Sequence, residues 1–251
     1  MLDFLKAPVE EFQDFILLGF RAFLNIFRSP HYADDIFQQM DIIGVGSLPI
    51  VIMIGFVSGV IMAMQMARAL TQYGAQGEVG EIVSVALVRE LGPLLTALLV
   101  AGRTSSGIAS EIGSMKVTEQ IDAMRALGTD PIQKLVTPRL IATAFVLPLL
   151  TVIADFIGLI GGWVIARYLL NLPGSQYWTL AWQSLVPNDL GQGLVKPLVF
   201  AIVIAMVGCF YGMRTTGGTQ GVGKATTTAV VVADIWIFVF TAMIGRIFLF
   251  F

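Results

Sequence analysis

The most constraining feature of this sequence is a long run without charge. Residues 42–67, which lie between Asp41 and Arg68, contain no Asp, Glu, Lys or Arg. About 20 mostly apolar residues are enough for a helix to cross the hydrocarbon core of a membrane, whereas strands of this composition would leave backbone groups unpaired in lipid. Four further runs share this character. We therefore predict five transmembrane helices, at about residues 42–67, 82–102, 140–166, 197–213 and 225–245.

The composition favours an all-α integral membrane protein that forms a single domain, residues 1–251. Apolar residues make up 56% of the chain and charged residues 13%, whereas a soluble domain contains about 25% charged residues. A net charge of −2 gives no basic excess, which argues against a nucleic-acid partner. A single cysteine, Cys209, and a single histidine, His31, argue against a disulfide framework, a metal site and a Ser-His-Asp triad.

Residues 8–28 have the pattern of an amphipathic helix that lies along the membrane interface as an elbow. Aromatic side chains recur at helical spacing, and charged residues fall mostly between them. The aromatic positions are Phe12, Phe15, Phe20, Phe23 and Phe27. Charges at both ends and within the segment make it a poor membrane span, and its acidic residues argue against a signal peptide. The alternative interpretation is a helix that packs on the surface of another protein.

The distribution of Lys and Arg predicts the orientation of the chain. Ten of the fifteen precede the first span or lie between spans two and three or between spans four and five. Because loops rich in Lys and Arg stay in the cytoplasm, these segments and the N-terminus are predicted to be cytoplasmic. An odd number of spans then places the C-terminus on the opposite side.

The longest predicted loop, residues 103–139, contains a short amphipathic helix. Thr118 is placed to cap its start, and Gly128 is placed to end it. Ile121, Met124 and Leu127 are spaced by three and share one predicted face. Such a helix suits docking into the groove of a partner protein. The spacing suits a connector that lies on the membrane equally well.

Four stretches of sequence resemble the MlaE (YrbE-like) permease family. Residues 88–103 read VRELGPLLTALLVAGR, residues 110–113 read SEIG, residues 118–123 read TEQIDA, and residues 128–131 read GTDP. Members of this family are membrane subunits of ABC transporters that move phospholipids or related lipids across the cell envelope with MCE-domain proteins. The resemblance extends over essentially the whole chain.

The resemblance implies a homodimer with five spans and an elbow helix in the bacterial inner membrane, with the C-terminus in the periplasm. It also implies a phospholipid substrate, a cytoplasmic ABC ATPase, a membrane-anchored MCE-domain protein and a small STAS-type subunit on the ATPase. Such a permease has no catalytic site and no cofactor of its own, because ATP and magnesium bind the ATPase. The implied role is maintenance of outer-membrane lipid asymmetry.

Functional residues follow from the same resemblance. The family's coupling motif, which sits on the ATPase, corresponds here to Glu119, Gln120, Ile121, Asp122, Ala123, Met124, Leu127 and Gly128. We expect Glu119 and Asp122 to pair with basic groups of the ATPase. We expect the apolar side chains of Ile121, Met124 and Leu127 to fill a cleft on the same partner.

Charged residues near the spans are functional candidates, because ionisable groups inside a membrane are costly, and the family resemblance implies that Glu90 and Lys196 lie near the lipid pathway. These candidates are Arg89, Glu90 and Lys196. Arg89 and Glu90 are placed to pair with each other or across a dimer. Lys196 suits a lipid phosphate, and extension of its side chain to the outer interface explains it equally well.

Two acidic residues within the predicted spans, Asp155 and Asp234, have no evident partner in the sequence. They are the main support for the alternative function, an ion-coupled secondary transporter or channel. Residues 218–225 nearly match a phosphate-binding P-loop, but Ala225 stands where a Ser or Thr would bind magnesium. We predict a flexible, basic cytoplasmic turn at that position instead.

Overall fold

The computed structural model describes residues 2–30 and 32–248, with side chains from Glu10 onward, so the prediction for His31 lies outside it. Every regular element in this part of the chain is a helix. We number them α1 (Leu2–Asn25), α2 (Ala33–Thr71), α3 (Gln76–Val117), α4 (Gln120–Ala126), α5 (Ile132–Tyr168), α6 (Gly174–Gln183), α7 (Pro187–Met213) and α8 (Gly218–Phe248).

Five of these helices, α2, α3, α5, α7 and α8, are long and apolar enough to cross a membrane, which confirms the five predicted spans. Each extends beyond its predicted limits. At 1.5 Å per residue, the 42 residues of α3 cover about 63 Å, roughly twice the thickness of a hydrocarbon core. Hydropathy detects only the part of a helix that lipid would surround, whereas polar residues continue the same helix into water.

Three local predictions need correction. The helix predicted at residues 8–28 is formed by residues 2–25, and its position at a membrane interface stays a prediction. Residues 218–225 form the first turns of α8 rather than a flexible turn. Helix α6 was not predicted at all, because its ten residues are too few and too polar to resemble a span.

The chain divides into two compact units. Unit 1 comprises the chain up to Ile43, residues 100–145 and residues 201–236. All ten Lys and Arg residues that predict the cytoplasmic side belong to it. Its core joins Ala22 of α1, Ile112 of α3, Ile121 of α4, Leu140 of α5 and Cys209 of α7. Gly208 brings α7 close to α3, since a Cβ there would lie 3.0 Å from the carbonyl oxygen of Ser105.

Unit 2 comprises residues 44–99, residues 146–200 and the chain from Ile237 onward, and it contains the other five Lys and Arg residues. Its helices approach one another through glycine. A Cβ at Gly59 of α2 would meet the backbone of Gly158 of α5, so only glycine allows this contact. Tyr177 of α6 is buried and donates a hydrogen bond to the carbonyl oxygen of Leu159 at 3.1 Å.

Candidate functional site

Helix α3 contains a π turn, Leu87–Leu91, in the middle of its unit 2 part. The N–H of Gly92 donates to the carbonyl oxygen of Leu87, five residues back instead of four. Pro93 follows and has no N–H, so the carbonyl of Arg89 lacks its usual α-helical donor. Single π turns within α-helices occur frequently at functional sites. This π turn contains Arg89 and Glu90, and the carbonyl oxygen of Arg89 is available to accept a hydrogen bond from outside the helix.

Lys196 of α7 uses that acceptor. Its side chain is fully buried, and Nζ donates to the carbonyl oxygen of Arg89 at 2.8 Å. The same Nζ lies 2.6 Å from Oε2 of Glu90. A buried ammonium requires both a counter-charge and hydrogen bonds to offset its lost hydration, and Lys196 has both. Its side chain therefore does not extend to an interface, and the π turn explains why it stays inside.

Two further side chains of α7 complete the arrangement. Gln192 donates to Oε1 of Glu90 at 3.3 Å, and Nε of Arg89 lies 3.4 Å from Oδ1 of Asp189. Arg89 therefore pairs with Asp189 and Glu90 with Lys196, rather than Arg89 with Glu90. We call Arg89, Glu90, Asp189, Gln192 and Lys196 the polar cluster. Its two cations and two carboxylates give it a formal charge of zero.

The polar cluster is open on one side. Side chains of Glu90 and Arg89 remain 45% and 34% exposed, whereas that of Lys196 has no exposure. On the other sides of α7, away from Asp189, Gln192 and Lys196, a row of apolar side chains is exposed. This row consists of Leu190, Leu194, Val195 and Leu198. The spans thus combine a partly exposed polar cluster with exposed apolar side chains on other sides of α7.

The coupling segment, residues 118–131, contains α4 and lies in unit 1. Its geometry differs from the prediction at the start of the helix. The Thr118 hydroxyl donates back to the carbonyl oxygen of Ser114 at 2.8 Å and does not cap α4. Glu119 precedes α4 in the left-handed region with φ of 62°, which turns the chain sharply after α3. The helix ends as predicted, with φ of 78° at Gly128.

The apolar residues of α4 do not form one exposed face. Ile121 is buried in the core of unit 1, and Met124 packs partly against the same core. Leu127 is 83% exposed. Helical spacing predicted one shared face, but the core of unit 1 covers Ile121 and part of Met124 and leaves Leu127 exposed. Only Leu127 of these three projects freely, together with the exposed Glu119, Gln120 and Ala123.

Asp122 has internal partners in the same segment. Its carboxylate lies 2.9 Å from Nζ of Lys116 and 3.1 Å from a guanidinium nitrogen of Arg125. The hydrogen bond from Lys116 and the charges of both cations hold the pKa of this exposed carboxyl below its ordinary value. Asp122 is therefore already paired, whereas Glu119 is exposed.

The family profile and the relatives that match this chain agree on one type of protein. The family profile described as Permease MlaE matches residues 36–247. The chain is 41% identical over 234 residues to a protein of Rickettsia prowazekii named as an ABC transporter permease, covering 93% of this chain and 90% of the relative.

The chain belongs to the MlaE permease family.

A Synechocystis protein, also named as an ABC transporter permease, is 42% identical and covers 90% of this chain and 85% of its own length. The chloroplast protein TRIGALACTOSYLDIACYLGLYCEROL 1 of Arabidopsis thaliana is 32% identical and covers 92% of this chain and 66% of its own. The MlaE-family chain is thus a multi-pass membrane subunit of the ABC transporter type, which implies an ATPase partner.

In this MlaE permease, Asp189 and Gln192 belong to the polar cluster although the sequence analysis did not select them. A signal was present, because Asp189, Gln192 and Lys196 follow one another at spacings of three and four. Such residues share one side of a helix, so three polar residues on one side of an apolar helix pointed to a site. Pro93, four residues after Arg89, was a second signal.

The two acidic residues within the predicted spans differ in their surroundings. Asp155 of this MlaE permease is buried, and its Oδ1 occupies the space that a Cβ at Gly92 would need. Asp234 is partly exposed. Within the described residues, Oδ1 of each is buried without a hydrogen-bond partner. Among the described residues, neither carboxyl group forms an ion pair or joins the polar cluster.

Proposed function

We propose that this chain is the permease subunit of an ABC transporter that moves phospholipids across the bacterial envelope. Two copies would lie in the inner membrane, with the N-terminus in the cytoplasm and the C-terminus in the periplasm. A cytoplasmic ATPase, with a small STAS-type subunit, would drive them, and an MCE-domain protein would exchange lipid with them. The process served would be outer-membrane lipid asymmetry. Family membership supports the transporter type, and the name of the Arabidopsis relative contains that of a glycerolipid.

The observation that carries the proposal is the partly exposed polar cluster, which lies on membrane spans that otherwise expose apolar side chains. A phospholipid combines a phosphate with long acyl chains, and an Arg guanidinium binds phosphate in a bidentate fashion. Arg89 is one-third exposed and holds Asp189 at 3.4 Å, which is long for a charged hydrogen bond. A headgroup phosphate would compete with Asp189 for Arg89, while the acyl chains would contact apolar side chains of the spans.

Lys196 would bind the lipid phosphate in only one of two states of the transporter. In the described state Glu90 and the Arg89 carbonyl bind it fully. Movement of α3 relative to α7 would separate Lys196 from Glu90 and make its ammonium available to the lipid phosphate. Reformation of the pair would then release the headgroup. Alternation between the two states is the property that a transport cycle requires.

The coupling segment would receive the movement of the ATPase. Leu127 and the exposed Glu119 and Gln120 would contact the ATPase, while Ile121 fixes α4 to the core of unit 1. That core contains Ile112 of α3 and Leu140 of α5. Because packed interiors transmit displacement, a push on α4 would reach both spans that flank it. Hydrolysis itself would occur in the ATPase, where ATP and magnesium bind.

A reconstituted transport assay tests this function. The permease and its ATPase are placed in vesicles with labelled phospholipid on one defined side, and transfer of label is followed with and without ATP. We expect Lys196→Met to reduce ATP-dependent transfer about tenfold or more, the loss of roughly 1.4 kcal/mol of headgroup binding, while the complex still assembles. Lys224→Met, which removes an exposed lysine of α8, is the matched control and should transfer lipid normally.

Two outcomes would overturn the proposal. The first is transfer by Lys196→Met at the rate of the unaltered protein, with folding of both verified by a monodisperse elution profile. The second is an ATP-independent ion current through the purified chain, which would instead favour a channel or a secondary transporter.

A further inference from the structure

A groove in unit 1 runs between α1 and the end of α7, and nothing in the proposed transport pathway uses it. Its volume is about 270 Å³. Arg21 and Asp14 of α1 and Arg214, which follows α7, form a polar rim. Leu18 of α1 and Met213 of α7 belong to its apolar wall. The groove thus has a charged edge and an apolar floor.

The rim carries a positive charge in excess. Arg21 is exposed and forms no hydrogen bond or ion pair with any residue that the structure describes. Arg214 has a carboxylate partner in Asp14, but at 3.6 Å and with both side chains about half exposed. Exposed pairs of this kind contribute little and exchange readily. The rim therefore has two guanidinium groups and one carboxylate, which only Arg214 holds, and weakly.

A second, more apolar groove adjoins the first. Its volume is about 190 Å³, and Phe210 lines both grooves. Phe12 and Phe15 of α1 and Val207 of α7 line it, together with one acidic residue, Glu11 of α1. Val207 lies two turns before the end of α7, so this groove continues along α7 away from the arginines. A cationic rim followed by an aromatic trough is complementary to an anionic headgroup followed by an acyl chain.

We propose that these two grooves together form a binding site for one anionic phospholipid, which remains bound to the permease and is not its cargo. The phosphate would bridge Arg21 and Arg214 and displace Asp14, since Arg binds phosphate through parallel hydrogen bonds. Basic pockets between membrane helices on the cytoplasmic side bind anionic headgroups in this way, and all the lining residues belong to the unit that contains the predicted cytoplasmic segments.

The bound lipid would stabilise the position of α1 beside the coupling segment. Asn25 at the end of α1 donates to Oδ2 of Asp130 at 3.3 Å, and the Thr137 hydroxyl of α5 donates to the carbonyl oxygen of Ala22 at 3.3 Å. A lipid that holds α1 against α7 therefore supports contacts that reach the coupling segment. This consequence rests on the proposed transport function, whereas the binding itself does not.

Lipid retention on the purified permease tests the site. The protein is assembled in nanodiscs of phosphatidylcholine with increasing phosphatidylglycerol, extracted into mild detergent, and the lipids that remain bound are counted by native mass spectrometry. We expect one phosphatidylglycerol per chain to persist. The double variant Arg21→Gln, Arg214→Gln should lower its retention about tenfold, which corresponds to roughly 1.4 kcal/mol of lost charge-assisted hydrogen bonding.

Matched variants distinguish the groove from general electrostatic attraction. Arg28→Gln with Lys224→Gln removes the same number of cations from unit 1 but outside the groove, and it should retain the lipid. Equal loss in this control, or normal retention in the groove variant, would overturn the proposal, as would equal retention of phosphatidylcholine. Retention by Lys196→Met should be normal, so failure of the transport mechanism and failure of this site give different results.

Discussion

The polar cluster of unit 2 and the coupling segment of unit 1 each contain a lysine–carboxylate pair, and the two pairs look alike by distance. Lys196 lies 2.6 Å from Glu90, and Lys116 lies 2.9 Å from Asp122. Their burial separates them, because the side chain of Lys196 has no exposure and that of Lys116 is 29% exposed. Burial, and not distance, decides how much each ion pair contributes to the stability of the protein.

The physical reason is the cost of removing a charge from water. An exposed ion pair gains little, since water solvates each member almost as well when the partner is absent. A buried ammonium has no such alternative, and loss of its partner leaves an uncompensated charge. We therefore expect the two pairs to respond very differently to the same substitutions.

The largest expected effect belongs to the polar cluster. Glu90→Gln would leave Lys196 buried with only the Arg89 carbonyl and a neutral amide, and we expect it to lower the free energy of unfolding by about 3 kcal/mol. Lys196→Met should cost less, because Glu90 is 45% exposed and water can solvate it. The double variant should be more stable than the sum of the two single effects predicts.

Reversible unfolding in lipid bicelles measures the stabilities of these three variants and of the unaltered protein, which together form a double-mutant cycle. The same cycle made with Lys116→Met and Asp122→Asn is the control. The coupling between Glu90 and Lys196 should exceed that between Lys116 and Asp122. Equal couplings in both cycles would show that burial does not distinguish the pairs.

A second contrast lies within the coupling segment, between two side chains of equal size. Ile121→Ala should lower the free energy of unfolding by about 2–5 kcal/mol, because it leaves a cavity in the core of unit 1. Leu127→Ala should change it by less than about 0.5 kcal/mol, since Leu127 is 83% exposed. The same Leu127→Ala should weaken binding of the ATPase by about tenfold if Leu127 enters an apolar pocket there.

Thermal unfolding and co-purification with the ATPase measure these effects separately. Destabilisation by Leu127→Ala, or undiminished ATPase binding by that variant, would contradict the division of α4 into an anchored and a free side.

The spans and the charge distribution could be predicted because each depends on neighbouring residues in the sequence. An uncharged run such as residues 42–67 is visible directly in the sequence. So are the ten Lys and Arg residues that belong to unit 1 in the structure. The pairings could not be predicted in this way. Glu90 and Lys196 lie on different helices, and their meeting depends on a π turn that no hydropathy pattern records.

Sequence spacing also failed to give the tertiary contacts of residues in the candidate sites. Spacing placed Ile121 and Leu127 on one face of α4, but the core of unit 1 covers one and leaves the other exposed. The family resemblance drew attention to Asp122, which is exposed, but nothing in the sequence revealed Lys116 as its partner. Helical periodicity gives the side of a helix on which a residue lies, whereas tertiary packing decides what that side meets.

The smallest expected effect concerns the pH dependence of the exposed pair. Lys116 and Arg125 lower the pKa of the Asp122 carboxyl, so the folded protein binds a proton there less readily than the unfolded chain does. The resulting stabilisation is fully present above the ordinary Asp pKa of about 3.9 and is lost as the pH falls through the lowered value. Asp122→Asn should therefore lower the unfolding temperature slightly at neutral pH, and the difference should vanish in strong acid.

A Lys116→Met variant should return the pKa of Asp122 toward its ordinary value, which carboxyl-selective NMR detects. A difference that persists in strong acid would mean that the Asp122 side chain stabilises the segment through packing rather than through its charge.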